Sequence, residues 1–297
     1  MKIAFVWQGV SNPKIFQQWN DGLRQAMRII EKEHEVIYCE PFDEINADLI
    51  LYWEAPCTIN GQNKDNWEKV RKSPIKKALL FAGGPLQKEW VEGFDHIFVE
   101  SKINADECAS LGLPHSIAFG INDEIFKPEI QPKVFDGIHQ GTCASWKRQW
   151  LIGESLGPKG VVCGRFQETD RRPFEECIKQ GSLVLPEIPA KAVCSLLNAS
   201  HTMVQTSDFW GGGQRATLEA LACGIPVICM SDSPKNREFV EESGCGEVVN
   251  PTKEQIRLAI ERIKENTNLG QQGIEYVKSK WTAQHYANNL LKVINSL

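Results

Sequence analysis

Ser207–Met230, SDFWGGGQRATLEALACGIPVICM, is the stretch whose reading decides the fold. Gly211, Gly212 and Gly213 free the backbone for positive φ and let a ligand come close to the main chain. From Gln214 or Arg215 onward, Leu218, Leu221 and Ala222 recur at helical spacing, which predicts a helix. The N–H groups of its first turn have no partner within the helix, and with the helix dipole they suit an anion such as phosphate. Gly224 ends the helix and Pro226 prevents it from resuming. Val227–Met230 is short and apolar, as a strand covered on both faces should be. A glycine loop, a helix start and a buried strand in that order suggest a nucleotide or nucleotide-sugar site. The same pattern also fits an ordinary loop–helix–strand unit of any α/β protein.

Working outward, strands and helices alternate along the chain. Lys2–Trp7, His34–Cys39, Ala47–Trp53, Lys77–Phe81, His96–Val99 and Ser116–Phe119 read as strands, with a helix over Phe16–Ile30. The alternation restarts with strands at Val134–Gln140, Gly160–Cys163, Leu183–Leu185 and His201–Gln205. Helices are expected over Trp146–Leu156, Pro173–Lys179, Ala190–Leu197, Gln255–Lys264 and Ile274–Ile294. Such alternation implies parallel, doubly wound sheets whose ligands bind at the carboxyl ends of the strands. A chain of 297 residues, 42% hydrophobic, can bury two cores. Its net charge of −5 argues against a protein built chiefly to hold nucleic acid. No apolar run is long enough to cross a bilayer, and Met1–Trp7 reads as a strand rather than an export leader. The ten cysteines show no metal-binding spacing and read as reduced thiols in a cytoplasmic protein.

Leu218–Ile228, LEALACGIPVI, resembles the signature of retaining GT-B glycosyltransferases of family 4, roughly E-G-F-G-x-x-x-x-E-A-x-A-x-G-x-P-V. The spore-maturation-type glycosyltransferases, which deviate in this loop, are similar too. Glu219-Ala220, Ala222, Gly224 and Pro226-Val227 match, and Glu219 takes the place of the glutamate that binds the donor's ribose. The first glutamate, which contacts the donor sugar, falls on Gly211. Gly120–Pro128, GINDEIFKP, resembles the family's G-V-D-x-x-x-F-x-P segment, with Asn122 at the aspartate position. Gln140-Gly141-Thr142 stands where the family has G-R, and Lys147 where it has a phosphate-binding lysine. The resemblance implies an α/β fold of two Rossmann-like doubly wound domains facing across a cleft. It places an acceptor-side domain over 1–127, a nucleotide-sugar domain over 128–276, and a last helix over 277–297 that returns to the first.

The chemistry implied is retaining, metal-independent transfer of a hexosyl or pentosyl group from a nucleotide-diphosphate sugar, which serves as substrate; no separate cofactor is expected. Lys147 and Arg215 are assigned to the diphosphate and Glu219 to the ribose. Gly211, Gly212, Gly213 and Gln214 face the donor through the loop and the helix start. Arg165 is the best of three arginines (with Arg171 and Arg172) near a strand's carboxyl end, and Arg148 could replace Lys147 as a point charge. A cation such as Arg215 opposes the helix dipole unless it meets an anion. The family's acceptor-side histidine has no counterpart in Phe81–Gly84, and His96 reads as structural. The acceptor stays open among a saccharide, a lipid-linked group and a modified nucleic-acid base. The basic stretch Asn63–Lys77 is read as a solvated helix face, or else as a surface for anionic membrane or nucleic acid. Two other classes fit the same residues: a non-catalytic nucleotide-sugar-binding module and a nucleotide-sugar epimerase.

Overall fold

A computed structural model describes residues 1–10, 12, 19–54, 64–83, 86–166, 170–209, 212–266 and 268–297. Contacts divide the chain into two units: Met1–Gly120 with Ala283–Leu297, and Ile121–Thr282. The divisions at 127/128 and 276/277 expected from the resemblance thus fall inside the second unit. Ile121 donates its N–H to the Trp281 carbonyl at 2.9 Å and bridges Thr282. That pairing ties both connecting segments into the second unit before the chain leaves it.

The first unit is a six-stranded sheet in the order β2-β1-β3-β4-β5-β6. Its strands are β1 (Lys2–Val6), β2 (Glu35–Cys39), β3 (Leu49–Glu54), β4 (Lys76–Phe81), β5 (His96–Val99) and β6 (His115–Ile117), and every pairing is parallel. Central strands covered on both faces need continuous apolar runs, and Ile3, Ala4, Phe5 and Val6 of β1 and Ala78, Leu79, Leu80 and Phe81 of β4 are buried. The helices are α1 (Gly22–Ile30), α2 (Lys64–Arg71), α3 (Lys88–Val91), α4 (Lys102–Ser110) and, from the end of the chain, α12 (Ala283–Ile294), which packs on α1. The first of them starts at Gly22, where the Asp21 carboxylate caps the Arg24 N–H at 3.0 Å. Of the earlier start expected at Phe16, residues 16–18 lie outside the described residues. His96 packs on Phe98 and pairs with Ser116 Oγ at 2.9 Å, and burial lowers its pKa.

The second unit's sheet runs β12-β11-β10-β7-β8-β9, again with parallel pairings. Its strands are β7 (Phe135–Gln140), β8 (Gly160–Cys163), β9 (Leu183–Leu185), β10 (Ser200–Gln205), β11 (Val227–Met230) and β12 (Gly246–Val249). Its helices are α5 (Trp150–Leu156), α6 (Arg172–Lys179), α7 (Ala190–Asn198), α8 (Gln214–Ala222), α9 (Pro234–Ser243), α10 (Lys253–Glu265) and α11 (Leu269–Lys280). The strand order reverses between β7 and β10, and in open α/β sheets ligands bind outside the carboxyl ends of the strands at such a point.

Several elements differ from the sequence expectation. Trp146–Leu156 is a short 3₁₀ turn at Ser145–Lys147, then Arg148 in the left-handed region at φ 50, then α5. Ile274–Ile294 is two helices, because Trp281 turns out of α11 to accept from Ile121. Helix α9 and strand β12 carry no clear apolar period, since Lys235, Asn236 and Ser243 share the buried face of α9 with Phe239 and Val240.

Candidate functional site

Helix α8 begins at Gly213, whose φ of 144 suits glycine, and no side chain caps its first turn. A Cβ on Gly213 would lie 2.2 Å from Gln205 Nε2, so the loop can rest on the end of β10 only with glycine there. Gln205 is fully buried, donates to the Gly213 carbonyl at 3.3 Å and accepts from Ser207 Oγ at 3.0 Å. At the other end of α8, Gly224 at φ 72 donates to Leu221 and Ile225 donates to Ala220. This pair of bonds satisfies the last carbonyls and turns the chain into β11.

Lys147 reaches this loop from the carboxyl side of β7. Its ammonium donates to the Gly212 carbonyl at 2.7 Å, and its methylenes cross beside Gly141. Burial pushes its pKa down to about 8, and the carboxylate of Asp208 only partly offsets this. Beneath it lies His139, which is wholly buried. His139 Nδ1 is 2.9 Å from the Val204 carbonyl, which makes that nitrogen the donor and leaves Nε2 as an acceptor. Burial, with the neighbouring Lys147 charge, pushes the imidazole down to about 3, so it is neutral at ordinary pH. Gln140, the last residue of β7, donates from Nε2 to Glu219 Oε2 at 2.5 Å, and Glu219 is 4% exposed on α8.

Among the described residues, His139 Nε2, Gln140 Oε1 and Gln214 Nε2 are buried polar atoms without a protein partner. Such atoms cost about 1–3 kcal/mol each when left unpaired. Gln214 Oε1 meanwhile accepts from the Gly213 N–H at 2.9 Å. The loop after β8 is drawn against the loop after β7: a Cβ on Gly164, at φ 154, would stand 1.9 Å from the Gly141 carbonyl oxygen. Cys143 N–H donates to the Arg165 carbonyl at 2.8 Å in the same seam.

The structure therefore brings Lys147, Gly212, Gly213, Gln214 and Glu219 around the start of α8. Arg215 lies half-buried in the first turn. Arg165 is exposed in the adjoining loop and enters the seam through its backbone. Gly211 lies outside the described residues. Arg148 is committed elsewhere. Its guanidinium donates to the Thr206 carbonyl at 2.8 Å and the Ser207 carbonyl at 3.1 Å, and forks onto Asp232 with two 2.7 Å contacts. It ties together the loops after β7, β10 and β11, and the left-handed backbone at Arg148 aims it there. The sequence reading passed over His139, Gln205 and Asp232 and gave Gln140 no role of its own. Two polar residues ending the β7 run, His139 and Gln140, were the available signal, because polar side chains at a strand's carboxyl end in this architecture point toward ligand.

The comparisons with known proteins bear on this geometry. The sequence profile described as Glycosyl transferases group 1 matches residues 158–280. A sucrose-phosphate synthase from Thermosynechococcus elongatus superposes with TM-score 0.78 at 13% identity, covering 100% of this chain and 98% of its own. The fold is GT-B. HepE from Anabaena in complex with UDP shares it, with TM-score 0.73 at 13% identity over 100% of both chains. So does a glycosyltransferase from Rickettsia africae, with TM-score 0.73 at 11% identity over 98% of this chain and 97% of that one. No curated protein matches the chain in sequence. Among the described residues of this GT-B chain, no helix is long and apolar enough to cross a membrane.

Proposed function

We propose that the protein is a retaining, metal-independent glycosyltransferase that takes a hexosyl or pentosyl group from a nucleotide-diphosphate sugar. One observation carries the reading: Lys147 and the uncapped start of α8 converge on Gly212 at the switch point between β7 and β10. As the anomeric bond breaks, negative charge grows on the leaving diphosphate. Donors oriented before the reaction, here backbone N–H groups and an ammonium, stabilise that charge without reorganising. In this reading Lys147 and Arg215 meet the diphosphate, with Arg165 at its margin. The backbone of Gly212, Gly213 and Gln214 faces the donor. Glu219 accepts from the ribose hydroxyls, its carboxylate held in place by Gln140. UDP-sugars are the first donors to try, because the solved structures of HepE hold UDP and UDP-glucose.

The test is a thermal-shift and calorimetric panel of UDP-, GDP-, ADP- and CMP-sugars in EDTA. A true donor at a hundredfold excess over its Kd should stabilise the chain by about 2.7 kcal/mol. Silence across the panel from folded protein would sink the reading. Turnover assays then separate the classes. A transferase needs an acceptor, an epimerase converts the sugar without one, and a binding module does neither.

A further inference from the structure

Helices α7 and α8 meet through two thiols. Cys194, midway along α7, has its Sγ 3.8 Å from the Sγ of Cys223, the residue that closes α8. Both are buried. The Cys194 sulfur accepts from the Asn198 amide at 3.4 Å and, as a thiol, donates to the Lys127 carbonyl at 3.6 Å. Asn198 fixes that same segment, donating to the Lys127 carbonyl at 3.1 Å and accepting from the Glu129 N–H at 2.9 Å. On the other side, the Cys223 N–H donates to the Glu219 carbonyl at 3.2 Å, which places the thiol one turn along α8 from the candidate site's carboxylate. A Cβ on Gly270 would stand 2.5 Å from the Gly224 carbonyl oxygen, so α11 presses on the end of α8 without slack. The donor chemistry proposed above uses neither thiol.

We infer that Cys194 and Cys223 are a site of reversible two-electron oxidation by hydrogen peroxide, and that closing their disulfide weakens nucleotide binding through α8; the second half rests on the transferase reading above. A disulfide holds its sulfurs about 2.05 Å apart, so these two must approach by roughly 1.8 Å. The hydrogen bond from the Cys223 thiol draws the Cys194 pKa down to about 7, against its burial, and the same contact pushes Cys223 up. Cys194 is therefore the thiolate of the pair, and the thiolate is the nucleophile. Its sulfur attacks one peroxide oxygen, the O–O bond breaks, and the departing hydroxide takes a proton to become water, leaving a sulfenic acid. The Cys223 sulfur then gives up its proton and attacks that of Cys194; the S–O bond breaks and a second water leaves. The thiols lose two electrons and two protons, and the peroxide becomes two waters. Burial admits a molecule little larger than water and excludes a charged peptide disulfide such as oxidised glutathione. With α11 seated behind Gly224, the approach of the sulfurs is taken up in the last turn of α8, which begins at Glu219.

The experiment uses the full chain, reduced with dithiothreitol, freed of it and then given excess hydrogen peroxide. Remaining thiols are blocked with N-ethylmaleimide in denaturant, and the unreduced digest is read by mass spectrometry. The Cys194 and Cys223 peptides should appear joined, with the loss of two hydrogens. UDP affinity, by calorimetry, should fall about fivefold, the worth of one hydrogen bond, and return with dithiothreitol. Amides in the last turn of α8 should exchange more slowly in the closed form, because the cross-link restrains local opening. In Cys194→Ala and Cys223→Ala the joined peptide should be absent, and peroxide should leave UDP affinity unchanged. Recovery of the two peptides as separate thiols, over-oxidation of Cys194 without the cross-link, or closure that leaves the affinity for UDP unchanged would overturn the inference. So would closure by oxidised glutathione as fast as by peroxide. Failure of the reduced wild type to bind UDP would instead count against the transferase reading, and the cross-link with amide exchange in α8 would still decide the redox pair.

Discussion

At the carboxyl edge of β7 and β10 the chain places Gln140, Gly141, Lys147 and Gln205; at the carboxyl edge of β1 and β3 it places Trp7 and Trp53. Both edges are switch points of parallel six-stranded sheets, yet their chemistry differs. The first is built from backbone, amides and one ammonium whose pKa burial has lowered. The second is built from the indole rings of Trp7 and Trp53, packed edge to face. A shared sheet plan supplies the position of a site, and the residues at the strand ends supply what it can hold.

The largest break in this comparison should come from glycine. Gly164→Ala places a Cβ in contact with the Gly141 carbonyl and should cost about 3 kcal/mol or more in urea unfolding, with loss of UDP binding. Gly112→Ala in the first unit also sits at positive φ, but nothing lies within 4 Å of the new Cβ. It should cost only about 1–2 kcal/mol and leave UDP binding intact. Equal effects would show that crowding at the polar edge is not the cause.

Lys147→Met should weaken UDP binding by about 10- to 100-fold, the range for a hydrogen bond to a charged group, as read by calorimetry. The pH dependence sharpens the same contrast. With its pKa lowered to about 8, Lys147 is mostly charged below that pH and loses its proton above it. UDP affinity should therefore fall above about pH 8, by up to tenfold per pH unit, and Lys147→Arg should flatten the profile. Stability of the ligand-free protein should move the opposite way. The folded state holds fewer protons on this lysine than the unfolded chain between about pH 8 and 10.4, so stability rises with pH across that window.

The smallest effect concerns Arg148 and Asp232. Asp232 is nearly half exposed, so a double-mutant cycle should give a coupling of about 1 kcal/mol or less. The Arg148→Ala change should lower UDP affinity a fewfold by loosening the Thr206–Ser207 loop. A zero coupling in the cycle would assign Arg148's role to its two carbonyl contacts alone.

Much of the fold was legible because parallel strands buried on both faces write themselves as apolar runs. His96–Val99, Gly160–Cys163, Leu183–Leu185 and Val227–Met230 were bounded correctly on that signal. The start of α8 was legible from three glycines before a helical period. Helix α9 was not, because buried Asn236 spends its polarity on Thr217 and Ser233, contacts that no local period announces. Arg148 read as a point charge for a diphosphate because its partners lie 58 to 84 residues away.

By itself the sequence determined the alternation of strands and helices and the glycine–helix–strand unit at Gly212–Met230. These follow from local rules of period, φ and capping, which act within a few residues. Only the tertiary structure decided that β7 lies beside β10, that neutral His139 sits under Lys147, that Gln140 holds Glu219 and that Trp7 stands against Trp53. Those are contacts between residues far apart in the chain, fixed by burial and by pairing of polar groups once the sheets have closed, and no local pattern encodes them.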